Sequence, residues 1–524
     1  MLLVGIAAIV AFVDVAVVPM DRQGVESHQT VLVRDDRIVA IGSAATIEVP
    51  SNATVIDGRG RFLLPGLTDA HVHINTGMPW APTRDDFGEA PLYLAHGITT
   101  IFNLSGSSEQ LEWRRRIADG SLLGPTLYTS GPFINEPRVR TSDEVRAEVA
   151  RQAAAGYDII KYHEFIDTTT GLSLDAYRAL NEAARAADMP LVGHAPKTLG
   201  LDALLDNRQS LAHVGNLTNL YFLPIPTHLF LAAITALAIL VVLVTPLVKG
   251  PHRRVSAVAA LVTLGVVSLM GTTLPGGPLC DSTTARLAAT GATVAASAIA
   301  LFLLIRRSPA CVATGVAAAL FAGFWLPVLW RSSDGGIARL ATRLHDADIS
   351  VQSTLIAYAA MRSDIRAQLL QDPVVPFLRP ETQQVWRSLV AVRQPGAGVL
   401  AFNQRVLVAL QKAGVPIVAG TDAMGTELLA PGSSLHRELE LLAESGLTNY
   451  EAIRAATVVP AVFLRKDKEF GTVAVGRRAD LLLVESNPFE HLSTLKKPLG
   501  VMVRGHWLTR EQLHDLLAPL ANAN

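Results

Sequence analysis

From Leu67 onward, short apolar runs alternate with amphipathic stretches in a regular strand–helix rhythm. Eight runs read as strands: Leu67–His73, Ile98–Leu104, Thr126–Ser130, Asp158–Tyr162, Pro190–His194, Ser210–His213, Ile349–Leu355 and Ile417–Thr421. Between them, stretches such as Ser142–Ala155 and Leu174–Ala187 repeat apolar positions at helical spacing, with Ser142 and Ser173 placed as N-terminal caps. Alternating strands and helices predict a parallel sheet, and eight such units predict an α/β fold of the (β/α)8 TIM-like barrel type. Ahead of them, Ala11–Val18, a hairpin over Thr30–Ile41 turning at Asp35-Asp36, and Thr54–Phe62 read as a small β-module. After the eighth strand come amphipathic helices at Ser434–Ser445 and Tyr450–Leu464. Strand patterning returns at Gly471–Val484 and Gly500–Leu508, so a small β-sandwich formed by both termini is expected.

One segment interrupts this order. Leu229–Val248, Val255–Leu274, Leu287–Ile305 and Ala310–Leu329 carry no Asp, Glu, Lys or Arg except within their connecting loops. Each run of about 20 residues could span ~30 Å of hydrocarbon, so they predict an inserted block of four transmembrane helices and an integral membrane protein. Lys249, Arg253, Arg254, Arg306 and Arg307 lie in the first and third connections, which puts those turns in the cytoplasm and the catalytic domain outside it. Export would need a signal, and Met1–Val10, apolar but without a basic residue, is a poor one unless the start is placed too far downstream. The expected division is 1–62 (β-sandwich, first part), 63–224 (barrel, strands one to six), 225–331 (membrane insertion), 332–466 (barrel completion) and 467–524 (sandwich completion and tail). Because the block leaves through the loop after strand six, it would hold the catalytic mouth near the bilayer. That favours a lipid-associated substrate such as an N-acyl amino acid or a hydrophobic peptide.

Composition narrows the classes further. A net charge of −1 over 524 residues gives no footprint for nucleic acid. Half of the residues are hydrophobic and the mean hydropathy is +0.32, an excess that sits between Leu229 and Trp330. Two cysteines, Cys280 and Cys311, offer neither a thiolate metal site nor a disulfide framework.

The candidate chemistry begins at Leu63–His73, LLPGLTDAHVH. His71 and His73 stand at i and i+2, so on a strand both imidazoles point to one face and can reach one metal ion. Four more residues end later strands: Lys161 in DIIKY, His194 in LVGHA, His213 in LAH and Asp422 after AGT. A lysine in an apolar strand is costly unless its charge is neutralised. Each residue alone is more often structural than catalytic. All of them together, at matching ends of consecutive strands, point to a metal centre. His163, Tyr162 and Tyr221 are candidates for lining a pocket, with ordinary packing preferred, whereas His96 and His436 lie in helical contexts and read as structural.

In PGLTDAHVH, DIIKYH, LVGHA, LAH, AGTDA and the closing GRRADLLLVESNP, the chain resembles the amidohydrolase superfamily, within it the prolidase- and imidazolonepropionase-like hydrolases. The resemblance covers most of 11–221 and 337–510. It implies two divalent ions, zinc foremost: one held by His71, His73 and Asp422, the other by His194 and His213, with Lys161 carboxylated as the bridging ligand. It also implies hydrolysis of a small amide or dipeptide-like substrate by a metal-bridging hydroxide, with Asp422 as general base and then acid. Relatives often carry Glu before the strand-six histidine; here it is Ala212. A reading of another class is a membrane sensor or transport-associated binding protein with an inactive hydrolase domain.

Overall fold

The computed structural model describes residues 9–74, 77–78, 80–81, 83–164, 171–222, 326–390 and 399–522. In chain order its strands are β1 (Ile9–Val17), β2 (Glu26–Arg34), β3 (Arg37–Ser43), β4 (Thr54–Asp57), β5 (Phe62–Pro65), β6 (Leu67–Val72), β7 (Ile98–Asn103) and β8 (Thr126–Thr129). They continue with β9 (Ile160–Tyr162), β10 (Leu191–Gly193), β11 (Ser210–Leu211), β12 (Val351–Gln352), β13 (Ile417–Val418), β14 (Leu481–Val484), β15 (Gly500–Val503) and β16 (His506–Thr509).

The two ends of the chain meet in one mixed sheet, ordered β16-β15-β14-β5-β1-β2-β3, with β4 also on β1. Strand β1 serves two partners in succession, because its first half pairs in parallel with β4 and its last residues with β5. The seam between the termini is β5 against β14, antiparallel, with Leu63 opposite Leu483. The β3 edge turns back on the segment leading into β14: Ile38 N–H donates to Arg477 O at 3.0 Å, and Ala479 N–H to Asp36 O at 2.7 Å. The strands expected to form a small β-sandwich from both termini are hydrogen-bonded into one sheet. Phe12, Val15, Val31, Leu481 and Met502 bury their side chains in a single cluster on it.

The remaining strands form two parallel sheets, β6-β7-β8 and β13-β12-β11-β10-β9. Isolated parallel bridges connect them at both margins, Ser130 with Ile159 and Val72 with Ala423. Strands β6 and β7 are buried along their whole length, as parallel strands covered on both faces must be. Helices cover the outside, burying apolar stripes that include Leu340 and Leu344, Leu407 and Leu410, and Leu439 and Leu442. Each such leucine contributes about 1.5–3 kcal/mol by leaving water.

Local chemistry sets several boundaries differently from the sequence pattern. The helix Ser142–Ala155 is capped by Thr141, which forms a capping box with Glu144, and not by Ser142; Ser173 caps Leu174–Ala186 as expected. The expected helix Tyr450–Leu464 is two helices, Asn449–Ala455 and Val458–Phe463. Pro460 lies in the first turn of the second, where its missing N–H is tolerated, and could not continue the first.

The membrane expectation is corrected. Among the described residues no helix is long and apolar enough to cross a membrane. The longest described helices, Ser142–Ala155 and Val399–Lys412, have 14 residues, about 21 Å at 1.5 Å per residue against the ~30 Å of a hydrocarbon core. Among the described residues, the expected integral membrane protein with an extracytoplasmic catalytic domain has no span to rest on, and nothing there supports the bilayer as a partner or a membrane-held catalytic mouth. The four apolar runs themselves, apart from residues 326–329, lie outside the described residues.

Candidate metal centre

Strand β6 delivers the first pair of imidazoles. Asp69, His71 and His73 share one face by the two-residue period, and all three are buried. Nε2 of His71 lies 3.2 Å from Nε2 of His73. Asp422, just beyond β13, turns its Oδ1 to within 3.0 Å of His73 Nε2 and 3.5 Å of His71 Nε2. Lys161 on β9 is fully buried and brings Nζ to 3.4 Å from His71 Nε2. The His213 ring centres 4.5 Å from that of His71, and the His194 ring 5.1 Å from that of His213. All six residues singled out in the sequence are thus gathered at the carboxyl ends of the parallel strands. His71, His213 and Asp422 present donor atoms within 4.8 Å of one another.

Electrostatics disfavour the protonated forms of His71, His194, His213 and Asp422. Burial, then the positive groups around it, hold the imidazoles of His71 and His194 well below the ordinary histidine range. Burial likewise brings His213 down to about 4, and pulls Lys161 from its usual value to about 7. Burial alone would raise the Asp422 carboxyl. The hydrogen bond from His73 and the electrostatic attraction of the His213 and His73 imidazoles, with the Thr426 hydroxyl, outweigh it and hold the group well below the usual carboxylate range. Imidazoles that resist protonation, set beside one ionised carboxylate, suit a divalent cation.

Ring orientation fits the same use. Nδ1 of His194 lies 3.1 Å from the Glu164 carbonyl, an acceptor only, so this nitrogen carries the proton and leaves Nε2 as the donor atom for a ligand. Nδ1 of His213 meets Thr354 Oγ1 at 2.9 Å. Thr426 donates its hydroxyl to Asp422 Oδ2 at 2.7 Å. Asp69 joins β6 to the end of β13, accepting the Thr421 hydroxyl at 2.7 Å and the Thr421 N–H at 3.0 Å. Two glycines make room: a Cβ on Gly420 would lie 2.6 Å from His71 Cβ, and one on Gly425 would lie 2.3 Å from His73 Cδ2.

The strands bearing these residues are shorter than their apolar patterns predict because the backbone turns at the site. His213, Thr354 and Asp422 all have left-handed φ, at 64°, 42° and 64°. Each costs about 1–2 kcal/mol in a non-glycine residue and is kept only by its surroundings.

Of the candidate lining residues, His163 reaches the site, its ring stacked on Phe133 at 4.4 Å and set against His194 at 4.1 Å. Tyr162 turns away, donating to Glu164 Oε2 at 2.7 Å and packing on Tyr177. Tyr221 lies under Arg331, 5.2 Å from ring centre to guanidinium. His436 Nε2 bonds the His96 carbonyl at 2.9 Å, a structural pairing. Sequence reasoning missed Asp69, Thr421 and Thr426, which stand inside or beside quoted motifs, and Thr354 and Glu438, which no motif marks.

Residues 62–232 and 398–508, just over half of the chain, match the profile of the amidohydrolase family. The chain belongs to the amidohydrolase family. This amidohydrolase is 33% identical over 177 residues to the adenine deaminase of Paracoccus denitrificans (strain Pd 1222), covering 31% of the present chain and 28% of that protein. The chain therefore spans under a third of the length of that curated relative. Among solved structures it is similar to a bottromycin amidohydrolase (TM-score 0.62, 18% identity, 98% of this chain and 90% of that one). It is also similar to a Xaa-Pro dipeptidase with bound methionine in the active site (TM-score 0.56, 16% identity, 96% and 100%). At these identities the likeness carries the fold alone, an α/β fold of amidohydrolase type.

Proposed function

We propose that this amidohydrolase holds two divalent ions, zinc foremost, and hydrolyses the amide bond of a small dipeptide-like or N-acyl amino acid substrate. The observation that carries the reading is the convergence of six donors from five strands. His71, His73 and Asp422 would hold one ion, His194 and His213 the other, and Lys161, carboxylated on its amine, would lie between them. When bound, the ions supply Lewis acidity, polarising the substrate carbonyl and bringing a water toward ionisation near neutral pH.

The chain's own groups do the rest. Asp422, kept ionised, accepts the proton of the attacking water and delivers it to the leaving nitrogen. Thr426 fixes the plane of that carboxylate by its bond to Oδ2, so Oδ1 stays on the imidazoles. His163, set against His194, borders the space beside the second pair of histidines.

The eight parallel strands, from 63–224 and 332–466, are read as a closed barrel, flanked by a β-module of 1–62 and 467–524. The bridges Ser130–Ile159 and Val72–Ala423 support closure. A second reading, deamination of adenine, is favoured by the curated relative and uses the same attack of water on a carbon bearing nitrogen.

The test is metal analysis of the purified protein followed by a hydrolysis screen with added zinc. X-Pro and other dipeptides, N-acyl amino acids and adenine are the substrates. Turnover of an amide with near-stoichiometric metal supports the first reading, and turnover of adenine alone replaces it with the second. Absence of both metal and turnover overturns the enzyme in favour of a binding module.

A further inference from the structure

The short helix Leu355–Ala359 begins in an unusual way. Its N-cap residue, Thr354, is of a type that ordinarily turns its hydroxyl onto its own first turn, yet it makes no such bond. Its left-handed backbone, φ 42° and ψ 39°, replaces the extended geometry of a capping threonine. The cap comes from another element. Glu438, fully buried in the helix Ser433–Ser445, accepts the Leu355 N–H at 3.0 Å, the Ile356 N–H at 2.7 Å and the Ser353 hydroxyl.

With the helix end satisfied from outside, the Thr354 hydroxyl is released, and it meets Nδ1 of His213 at 2.9 Å. The same helix holds the His213 loop at a second point: the Tyr358 hydroxyl packs so closely on Gly215 that a Cβ there would lie 2.4 Å from it. His213 needs holding, since its left-handed φ of 64° is unfavourable for a residue that carries a Cβ and is kept only by what surrounds it. A buried carboxylate is a costly way to cap five residues of helix. A Ser, Asp or Thr in ordinary capping geometry would do it locally. The arrangement is explained if the hydroxyl at position 354 is needed elsewhere.

We propose that Glu438 and Thr354 are positioning residues for His213: Glu438 sets the turn 353–356, and Thr354 then holds the His213 ring so that its Nε2 is the nitrogen offered to a metal ion. This rests on the metal centre proposed above. Neither residue touches substrate or ion. They act through the imidazole, and loss of such a partner typically lowers metal affinity by about 10–100-fold.

The experiment titrates the metal-depleted full chain with cobalt(II), by calorimetry and by the visible spectrum. It compares wild type with Thr354→Val, Thr354→Ser, Glu438→Gln and Leu344→Ala, the last a core truncation outside the network. Wild type is expected to take up two ions. Thr354→Val, close to isosteric, should weaken one of the two by about 10–100-fold with an altered cobalt spectrum and leave the other within about twofold. Thr354→Ser, which keeps the hydroxyl, should restore it. Glu438→Gln should weaken the same ion as Thr354→Val, while Leu344→Ala lowers Tm and moves neither affinity. Two unchanged affinities in Thr354→Val, or an equal shift in Leu344→Ala, would overturn the inference. Wild type that binds no cobalt would instead overturn the metal centre itself, a result distinct from both.

Discussion

Lys161 Nζ lies 3.4 Å from His71 Nε2 in a site that encloses both side chains completely. An ammonium there faces four histidines, and burial has already drawn its pKa down to about 7, so the neutral amine is readily available. A neutral buried amine among metal-type donors is the species that carbon dioxide can convert to a carbamate. Lysine 161 replaced by methionine should therefore bind fewer ions and lose at least about 100-fold in turnover. In wild type supplied with 13C-bicarbonate, a carbamate resonance should appear that Lys161→Met lacks; equal spectra would exclude the carboxylated bridge.

The same shift makes the stability of the metal-free protein depend on pH. Because the folded pKa of Lys161 is about 7 against 10.5 for the free side chain, the unfolded chain binds more protons across that interval. Stability attributable to this residue therefore rises with pH between about 7 and 10.5, by at most about 1.4 kcal/mol per unit. Urea unfolding of metal-depleted wild type and Lys161→Met, measured at pH 7 and pH 9, should show the difference between them shifting in favour of wild type at the higher pH. A constant difference would contradict the burial argument.

Gly425 bears on geometry alone. A methyl group there would lie 2.3 Å from His73 Cδ2 and 2.6 Å from Asp422 Oδ1, so Gly425→Ala must push one of them aside. Metal affinity should fall at least about tenfold, with Tm of the metal-free protein changed little, since the residue lies in the loop past β13 and supports no core cluster. Calorimetric metal titration beside a thermal melt reads both quantities.

Metal removal supplies a fourth check. An ion bound only by the folded chain adds about 2.7 kcal/mol when free metal is a hundredfold above its Kd. Dialysis against a chelator should lower Tm and abolish turnover, and zinc returned in excess should restore both. A Tm indifferent to zinc would mean that the six donors hold none.

Much of the fold was legible because its cues are local. Apolar runs, caps and turn residues act within a few positions, so the eight strands of the parallel sheets and the returning C-terminal strands could be read from the pattern. The boundaries at the site could not. His213, Thr354 and Asp422 leave strand geometry through left-handed backbone that tertiary contacts impose against local preference. Length and lack of charge suggested spans in the four apolar runs, which apart from 326–329 lie outside the described residues; among the described residues no helix is long and apolar enough to cross a bilayer.

The six donors were identifiable by type, since imidazole, carboxylate and a strand lysine announce their chemistry wherever they stand. Thr354 and Glu438 were not, because a threonine before an apolar stretch reads as an ordinary cap and a glutamate in an amphipathic helix as a solvated one. Residue chemistry and hydrophobic period belong to the chain itself and survive in any conformation. Which carboxylate caps which helix, and which nitrogen of a histidine is left free, depends on groups as far apart as the 141 positions between His213 and Thr354 being packed together, and only folding brings them within hydrogen-bonding distance.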